Sequence, residues 1–206
     1  MKRSSLLLLS ILFSVSVIAN ETTNVKVTNL RTEEMVSPMS IDTPTPRLGW
    51  QIVSLKNNVK QTSYHVLVAS SAELLRSNKG DLWDSGIVRS DNSQWIKYAG
   101  KVLNSNTRCY WKVKVTTTQG NSSWSEHAIW NVGLLGESHW KGEWIGWDAA
   151  SPWDRETTWS RLSARYLRTE FNLTKPVKRA TLYIAGLGMY EMFLNGLRVG
   201  TQVLSP

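Results

Sequence analysis

Residues 108–117 read RCYWKVKVTT, and apolar and polar side chains alternate along the whole segment. A period of two is typical of a β-strand with one face buried and the other in solvent. The face predicted to be buried carries Cys109, Trp111, Val113 and Val115. The solvent face carries Tyr110, Lys112, Lys114 and Thr116. The segment therefore predicts a long, half-buried strand.

Shorter segments of the same character lie on both sides of it, separated by residues that form turns. The predicted strands cover residues 24–30, 47–52, 64–69, 81–88, 95–98 and 128–135. Residues 71–76 fit either one helical turn or a loop. About seven short strands over roughly 115 residues are typical of a β-sandwich of immunoglobulin or fibronectin type III size. We therefore predict an all-β fold with such a sandwich over residues 20–136.

Strand periodicity resumes further along the chain. Residues 137–150 form a Trp-rich connector, and residues 166–173 and 180–185 alternate again. Asn195-Gly196 then separates two apolar segments, which predicts a hairpin because both residues accept a positive φ. Residues 151–206 thus predict the incomplete start of a second, jelly-roll-like β-sandwich. We expect either a fragment of a longer protein or a unit that pairs with something else.

The N-terminus has the order of a secretory signal peptide. Lys2 and Arg3 precede an apolar run at residues 6–13, and Ala19 is a small residue at a plausible cleavage position. We predict a signal peptide over residues 1–19 and an exported protein, periplasmic or extracellular, with no membrane span after cleavage. An uncleaved N-terminal anchor is the alternative.

Charge and cysteine content narrow the function classes. The chain has 24 Lys and Arg against 16 Asp and Glu, a net charge of +8. These basic residues are scattered singly or in pairs, which predicts a solvated basic face and no nucleic-acid partner. Cys109 is the one cysteine, so no internal disulfide forms, and its apolar strand predicts a small buried side chain.

Tryptophan is the unusual component of the composition, with 11 residues. In exported β-rich proteins this suggests carbohydrate binding, but most of these rings are expected in the core. Trp153 and Trp159 lie in a polar segment without strand alternation, so they are the candidate carbohydrate-binding residues. The alternative is that both rings pack against a downstream domain.

Residues for other chemistry are not grouped. His65, His127 and His139 lack metal-ligand spacing, which predicts no metal site, and no cofactor motif is apparent. Asp81 and Asp84 are expected to cap a turn. The carboxylates of the polar segment, Asp148, Asp154 and Glu156, are expected to be solvated. No catalytic residue is predicted.

Several motifs in order resemble the N-terminal portion of bacterial α-L-rhamnosidases of glycoside hydrolase family 78. The most specific is Asp81-Leu82-Trp83-Asp84-Ser85-Gly86, which is similar to that family's Leu-Trp-Asp-Ser-Gly turn. Other matching segments are residues 46–50, 61–69, 98–103, 167–171 and 185–191. The resemblance spans roughly residues 25–206, and it implies that residues 151–206 begin the rhamnosidase N-terminal domain.

The resemblance also implies a function. Family members carry their acid and base carboxylates on a downstream helical barrel that has no counterpart in this sequence. The chain is therefore expected to be the non-catalytic N-terminal segment of an exported enzyme that hydrolyses terminal α-L-rhamnose from glycans or glycosides. Its partners would be a rhamnose-containing glycan, bound through the full-length enzyme, and the missing catalytic domain. The alternative is a free-standing carbohydrate-binding or fibronectin-type interaction module.

Overall fold

The computed structural model describes residues 25–147 and 164–200. The chain divides into two compact units between Gly142 and Glu143. The predicted signal peptide and the two candidate residues Trp153 and Trp159 lie outside the described residues. The strands of the first unit are β1 (Val25–Thr32), β2 (Arg47–Ser54), β3 (Gln61–Ala69), β4 (Trp83–Asp84), β5 (Val88–Arg89), β6 (Ile96–Lys97), β7 (Arg108–Thr117), β8 (Gly120–Asn121) and β9 (Ala128–Asn131).

Two antiparallel sheets build the first unit. The first sheet has three strands in the order β1-β2-β6. The second is built on the long pair β3–β7, with β4 and β5 beside β3 and with β8 and β9 beside β7. This arrangement confirms the all-β sandwich predicted from the sequence.

The core lies between the two sheets, because the inward faces of their strands are apolar. From β7 it receives Cys109, Trp111, Val113 and Val115, which is the face that the alternation predicted. Trp50, Tyr64 and Trp130 add large rings, and Trp50 meets Tyr64 edge to face at 5.2 Å between ring centroids. Burial of this apolar surface is the main stabilising contribution to the unit.

A smaller cluster covers the opposite side of β3. The helix α1 (Ala72–Arg76) begins after Ser71, whose side chain accepts a hydrogen bond from the backbone N–H of Leu74. Leu75 of the helix packs against Leu67 and Ala69 of β3. The alternation on β3 is therefore incomplete, because one end of its outer face is also buried.

Ser105 hydrogen-bonds to the segment that follows the last strand of the sandwich. A 3-10 helix over Glu137–His139 follows β9. The Ser105 hydroxyl lies 2.5 Å from His139 Nδ1 and accepts a hydrogen bond from the backbone N–H of Leu135 at 2.9 Å. The start of the connector is thereby fixed to the loop between β6 and β7.

The described part of the second unit contains one hairpin, formed by β10 (Phe193–Leu194) and β11 (Leu197–Arg198). The predicted Asn195-Gly196 turn is confirmed, with φ values of 49° and 79°. The strands predicted over residues 166–173 and 180–185 are wrong for this structure, which gives them no strand hydrogen bonds. An alternating segment forms a strand only when a neighbouring strand pairs with it. Many apolar side chains of these two segments are exposed, so the segments are not packed against a second layer within the described residues.

Within the described residues, no helix has the length and apolar character needed to cross a membrane.

Candidate binding face on the three-stranded sheet

The outward side of the sheet β1-β2-β6 gathers charged and polar side chains at one end. Leu48 and Trp50 of β2 point into the core, so Arg47 and Gln51 point outward. Register places Lys97 of β6 beside Arg47 and Arg31 of β1 beside Gly49. We call this surface the polar face; it comprises Arg31, Glu33, Glu34, Arg47, Gln51, Trp95 and Lys97.

A β-bulge in β1 positions Arg31. Thr28 pairs with Gln51 and Arg31 with Gly49, so β1 carries one residue more than β2 between these pairs. Asn29 in the bulge has a φ of 49°, a conformation that Asn tolerates. The Arg31 guanidinium donates to Asn29 Oδ1 at 3.2 Å and to the Glu34 carbonyl at 2.8 Å. These bonds fix the cation on the polar face.

A tight turn follows β1 at residues 32–35. Thr32 and Met35 exchange two backbone hydrogen bonds of 3.0 Å, and the central residues Glu33 and Glu34 have φ values of 49° and 59°. Positive φ at both central positions is what a type I′ turn requires, and Asn-Gly is its usual sequence. Two glutamates here cost roughly 1–2 kcal/mol each in backbone strain.

An ion pair between Glu33 and Arg47 holds the turn. One carboxylate oxygen accepts from the Arg47 backbone N–H at 2.7 Å, and the other accepts from Nη2 at 2.5 Å and from Nε at 2.9 Å. Hydrogen bonding to the Arg47 side chain lowers the pKa of Glu33, and the same bonding raises the pKa of Arg47. A forked pair of this kind orients both groups as well as neutralising them.

Trp95 is the aromatic component of the polar face. The Arg47 guanidinium lies over its ring, with Cζ 4.3 Å from the centroid, and 56% of the residue is exposed. Its φ is 61°, which for a bulky side chain is an outlier. The loop before it is anchored, because the Trp50 backbone N–H donates to the Ser93 carbonyl and Gln61 Nε2 donates to the Asn92 carbonyl.

An open cleft of about 780 Å³ adjoins the polar face. It is lined by Glu33, Met35, Ser40, Ile41, Asp42, Thr43, Thr45, Arg47 and Lys97. Together the polar face and the cleft carry three cations, Arg31, Arg47 and Lys97, and three carboxylates, Glu33, Glu34 and Asp42. Hydrogen-bonding groups are therefore dense here while the net charge is zero.

The tryptophans divide more evenly between core and surface than expected. Trp50, Trp111 and Trp130 are buried, and Trp83 and Trp124 are partly buried. The exposed ones among the described residues are Trp95, Trp140, Trp144 and Trp147. Sequence reasoning placed Trp95 on a strand and missed its exposure, although the polar residues 92–94 before it were a usable indication.

The motif at residues 81–86 is structural. Asp84 Oδ1 accepts from the Gly86 backbone N–H at 2.9 Å, as the predicted turn cap requires, and lies 2.6 Å from His65 Nε2. The hydrogen bond from the Gly86 N–H lowers the pKa of Asp84, and the contact with His65 lowers it by a smaller amount. Asp81 differs from the prediction: its carboxylate accepts from the backbone and hydroxyl of Ser70 and so connects the turn to the end of β3.

The remaining candidates for chemistry are dispersed. His127 lies against Tyr110, with ring centroids 6.2 Å apart, and His139 contacts Ser105. Among residues 25–147 and 164–200, no three His, Cys, Asp or Glu side chains come together as a metal site. Cys109 is buried as predicted, and desolvation raises the pKa of its thiol to about 12.

Two antiparallel sheets around one core, with a polar face on the outer side of one sheet, define an immunoglobulin-like module. The family model described as "Rha78A-like, N-terminal immunoglobulin domain" matches residues 27–136, and that described as "Alpha-L-rhamnosidase N-terminal domain" matches residues 175–206. The chain belongs to the Rha78A-like N-terminal immunoglobulin domain family, and it corresponds to the N-terminal portion of α-L-rhamnosidases.

The relatives match most of this chain but only a small part of their own length. An α-L-rhamnosidase of Formosa agariphila is 39% identical over 185 residues, which are 82% of this chain and 19% of that protein. The structure of α-L-rhamnosidase from Dictyoglumus thermophilum superposes with a TM-score of 0.75 at 33% identity, over 88% of this chain and 21% of that one. The Streptomyces avermitilis α-L-rhamnosidase, complexed with L-rhamnose, gives a TM-score of 0.56 at 41% identity over 59% and 12%. The chain thus spans about a fifth of the length of these relatives.

Proposed function

We propose that this chain is the non-catalytic N-terminal segment of an exported α-L-rhamnosidase. The whole protein would hydrolyse terminal α-L-rhamnose from glycans or glycosides, and its acid and base carboxylates would lie in a downstream domain. The observation that carries the proposal is the match of two N-terminal family models, in chain order, within a fifth of the relatives' length.

The described carboxylates support a structural role. Inverting glycosidases place two carboxyl groups about 6.5–9.5 Å apart on either side of the scissile bond. Here Glu33 is engaged by Arg47, Asp84 by the Gly86 N–H and His65, and Asp81 by Ser70. Each of these three carboxylates is thus committed to holding a turn in place, which supports a structural role for them.

We further propose the division into a signal peptide (1–19), an immunoglobulin-like sandwich (20–136), a connector (137–150) and the start of a second sandwich (151–206). The cationic and apolar segments at residues 2–13 support export. The exposed apolar side chains of the second unit, such as Phe171 and Leu182, support a fold that is completed by further protein.

The chain alone is predicted to have no rhamnosidase activity. The test is release of nitrophenol from an aryl α-L-rhamnoside, with the Formosa agariphila relative as the active control. No release above the uncatalysed background is expected. Turnover that disappears on substitution of an Asp or Glu of this chain would overturn the proposal.

A chimera tests the supporting role directly. The N-terminal fifth of the Formosa agariphila relative would be replaced by residues 20–206 of this chain, and a deletion of the same fifth would serve as the comparison. The chimera is expected to be soluble and active, whereas the deletion is expected to lose both properties. A chimera no better than the deletion would contradict an equivalent role for the two segments.

A further inference from the structure

We propose that the polar face binds a neutral oligosaccharide. The Trp95 ring would stack on the apolar face of a pyranose, and the Glu33–Arg47 pair would hydrogen-bond its hydroxyls. The proposal is argued from this surface alone, so it does not depend on the proposed function.

Backbone strain is concentrated at this surface. Among the described residues with positive φ, all are Gly or Asn except Glu33, Glu34, Ser37 and Trp95. Glu33, Glu34 and Trp95 belong to the polar face, and Ser37 lies two residues beyond the turn. Residues in such conformations persist only when the surrounding structure imposes them, and they cluster at ligand-binding sites. Three of the four strained residues other than Gly and Asn in the described part of the chain thus lie on the polar face.

Trp95 is held in place before any ligand arrives. Arg47 covers one side of the indole, Glu33 holds Arg47, and the loop before Trp95 is hydrogen-bonded to Trp50 and Gln61. More than half of the residue remains exposed, which leaves ring surface for a ligand. A ring already ordered in the free protein loses little conformational entropy on binding, so it is a suitable stacking platform.

The charge balance selects the ligand class. Three cations and three carboxylates cancel over the polar face and its cleft, so this surface has no local excess of positive charge to select phosphate or sulfate. Sugar hydroxyls both donate and accept, and they match neighbouring carboxylate and guanidinium groups. The polar side chains of Gln51, Thr43 and Thr45 extend this pattern on either side of the ion pair.

Trp124 provides a contrast on the other sheet. Lys112 and Lys114 lie over its ring, 4.8 and 5.0 Å from the centroid, and the His65 ring is 5.1 Å away. Trp124 is thus partly buried, with three protein side chains close to its ring. At Trp95, Arg47 lies over one side of the ring, and the residue is still 56% exposed.

The test is a titration of the full chain with two neutral disaccharides, rutinose (α-L-rhamnosyl-glucose) and cellobiose, followed by amide and indole N–H chemical shifts. Shifts are expected at the Trp95 indole and at the backbone of Glu33 and Arg47. Trp95→Ala is expected to weaken binding about tenfold, the equivalent of one lost stacking contact. Trp144→Ala, which removes another exposed indole, is the matched control and should leave binding unchanged.

Thermal unfolding of each variant controls for misfolding, and Trp95→Ala should unfold within a few degrees of the parent because its ring is exposed. Binding of either disaccharide at the polar face supports the proposal. Binding of neither disaccharide, or equal affinity in Trp95→Ala and the parent, would overturn it. Since no hydrolysis is measured, these outcomes are independent of the rhamnosidase assay.

Discussion

At the scale of single residues, Trp50 and Trp111 fill the same core but differ in their hydrogen bonds. Trp50 Nε1 donates to Gln61 Oε1 at 3.0 Å, whereas Trp111 Nε1 has no partner among the residues that the structure describes. Trp111→Phe should therefore cost only packing, about 1–2 kcal/mol of unfolding free energy. Trp50→Phe should cost about 1–2 kcal/mol more because it leaves the buried Gln61 oxygen unpaired. Urea denaturation measures both.

Trp111→Ala gives the companion measurement, with an expected cost of about 3–5 kcal/mol from lost burial and a cavity. A cost below about 1 kcal/mol would mean that the ring is in solvent and that the strand register is wrong. Equal costs for the two Phe variants would show that Gln61 finds another partner.

Glu33 makes stability depend on pH. The pKa of Glu33 in the folded protein lies below the ordinary value of 4.5. The ion pair therefore contributes fully to the free energy of unfolding above pH 4.5, and this contribution is lost as the pH falls through the folded-state pKa. Glu33→Gln should cost about 1 kcal/mol at neutral pH, as expected of a partly exposed ion pair, and progressively less at acid pH. Denaturant midpoints across the acid range measure this difference. Glu34→Gln is the matched control, and a cost independent of pH would contradict the assignment.

At the scale of elements, the loop after β6 depends on a residue without a side chain. A Cβ on Gly100 would lie 2.6 Å from Tyr98 Oη and would collide with the Leu82 carbonyl. The Tyr98 hydroxyl donates to the Lys101 carbonyl at 2.8 Å, which closes the loop. Gly100→Ala is expected to cost about 1–3 kcal/mol by overpacking.

Gly136→Ala is the control for this substitution, because a Cβ there meets nothing within 4 Å. It should change the unfolding free energy by less than about 0.5 kcal/mol. Similar results for both glycines would mean that the loop after β6 relaxes freely.

Element length decides how much of the fold could be predicted. The ten residues of β7 span several periods of alternation, so the prediction and the structure agree on both ends. The two-residue strands β4, β5 and β6 contain a single period, and the predicted strand at 81–88 is divided by the turn at Gly86. Residues 166–173 alternate as strongly, but pairing partners are not a property of the segment itself.

The polar face was less predictable, because tertiary contacts create it. Glu33-Glu34 is not a turn sequence; the turn forms because Arg47, 14 residues away, engages Glu33. The orientation of Trp95 likewise depends on a positive φ that no local pattern indicates. Trp153 and Trp159, the residues singled out by polarity alone, remain a prediction outside the described residues.

At the scale of the whole molecule, the two units should differ in stability. A fragment of residues 20–136 contains both sheets and the whole core, so we expect it to unfold in one cooperative transition. The full chain should also bind a hydrophobic dye, because side chains such as Tyr166 and Leu187 are more than 90% exposed. One transition covering both units without dye binding would contradict this expectation.

Because Cys109 is buried, its thiol can serve as a probe of the global opening of the sandwich. With its side chain enclosed in the core and its pKa raised to about 12, it reacts with a thiol reagent only after the sandwich opens. The rate of labelling under native conditions therefore reads the free energy of that opening without denaturant. Because Cys109 does not react in the folded protein, a fluorophore that reacts with thiols would label only a cysteine introduced on the surface.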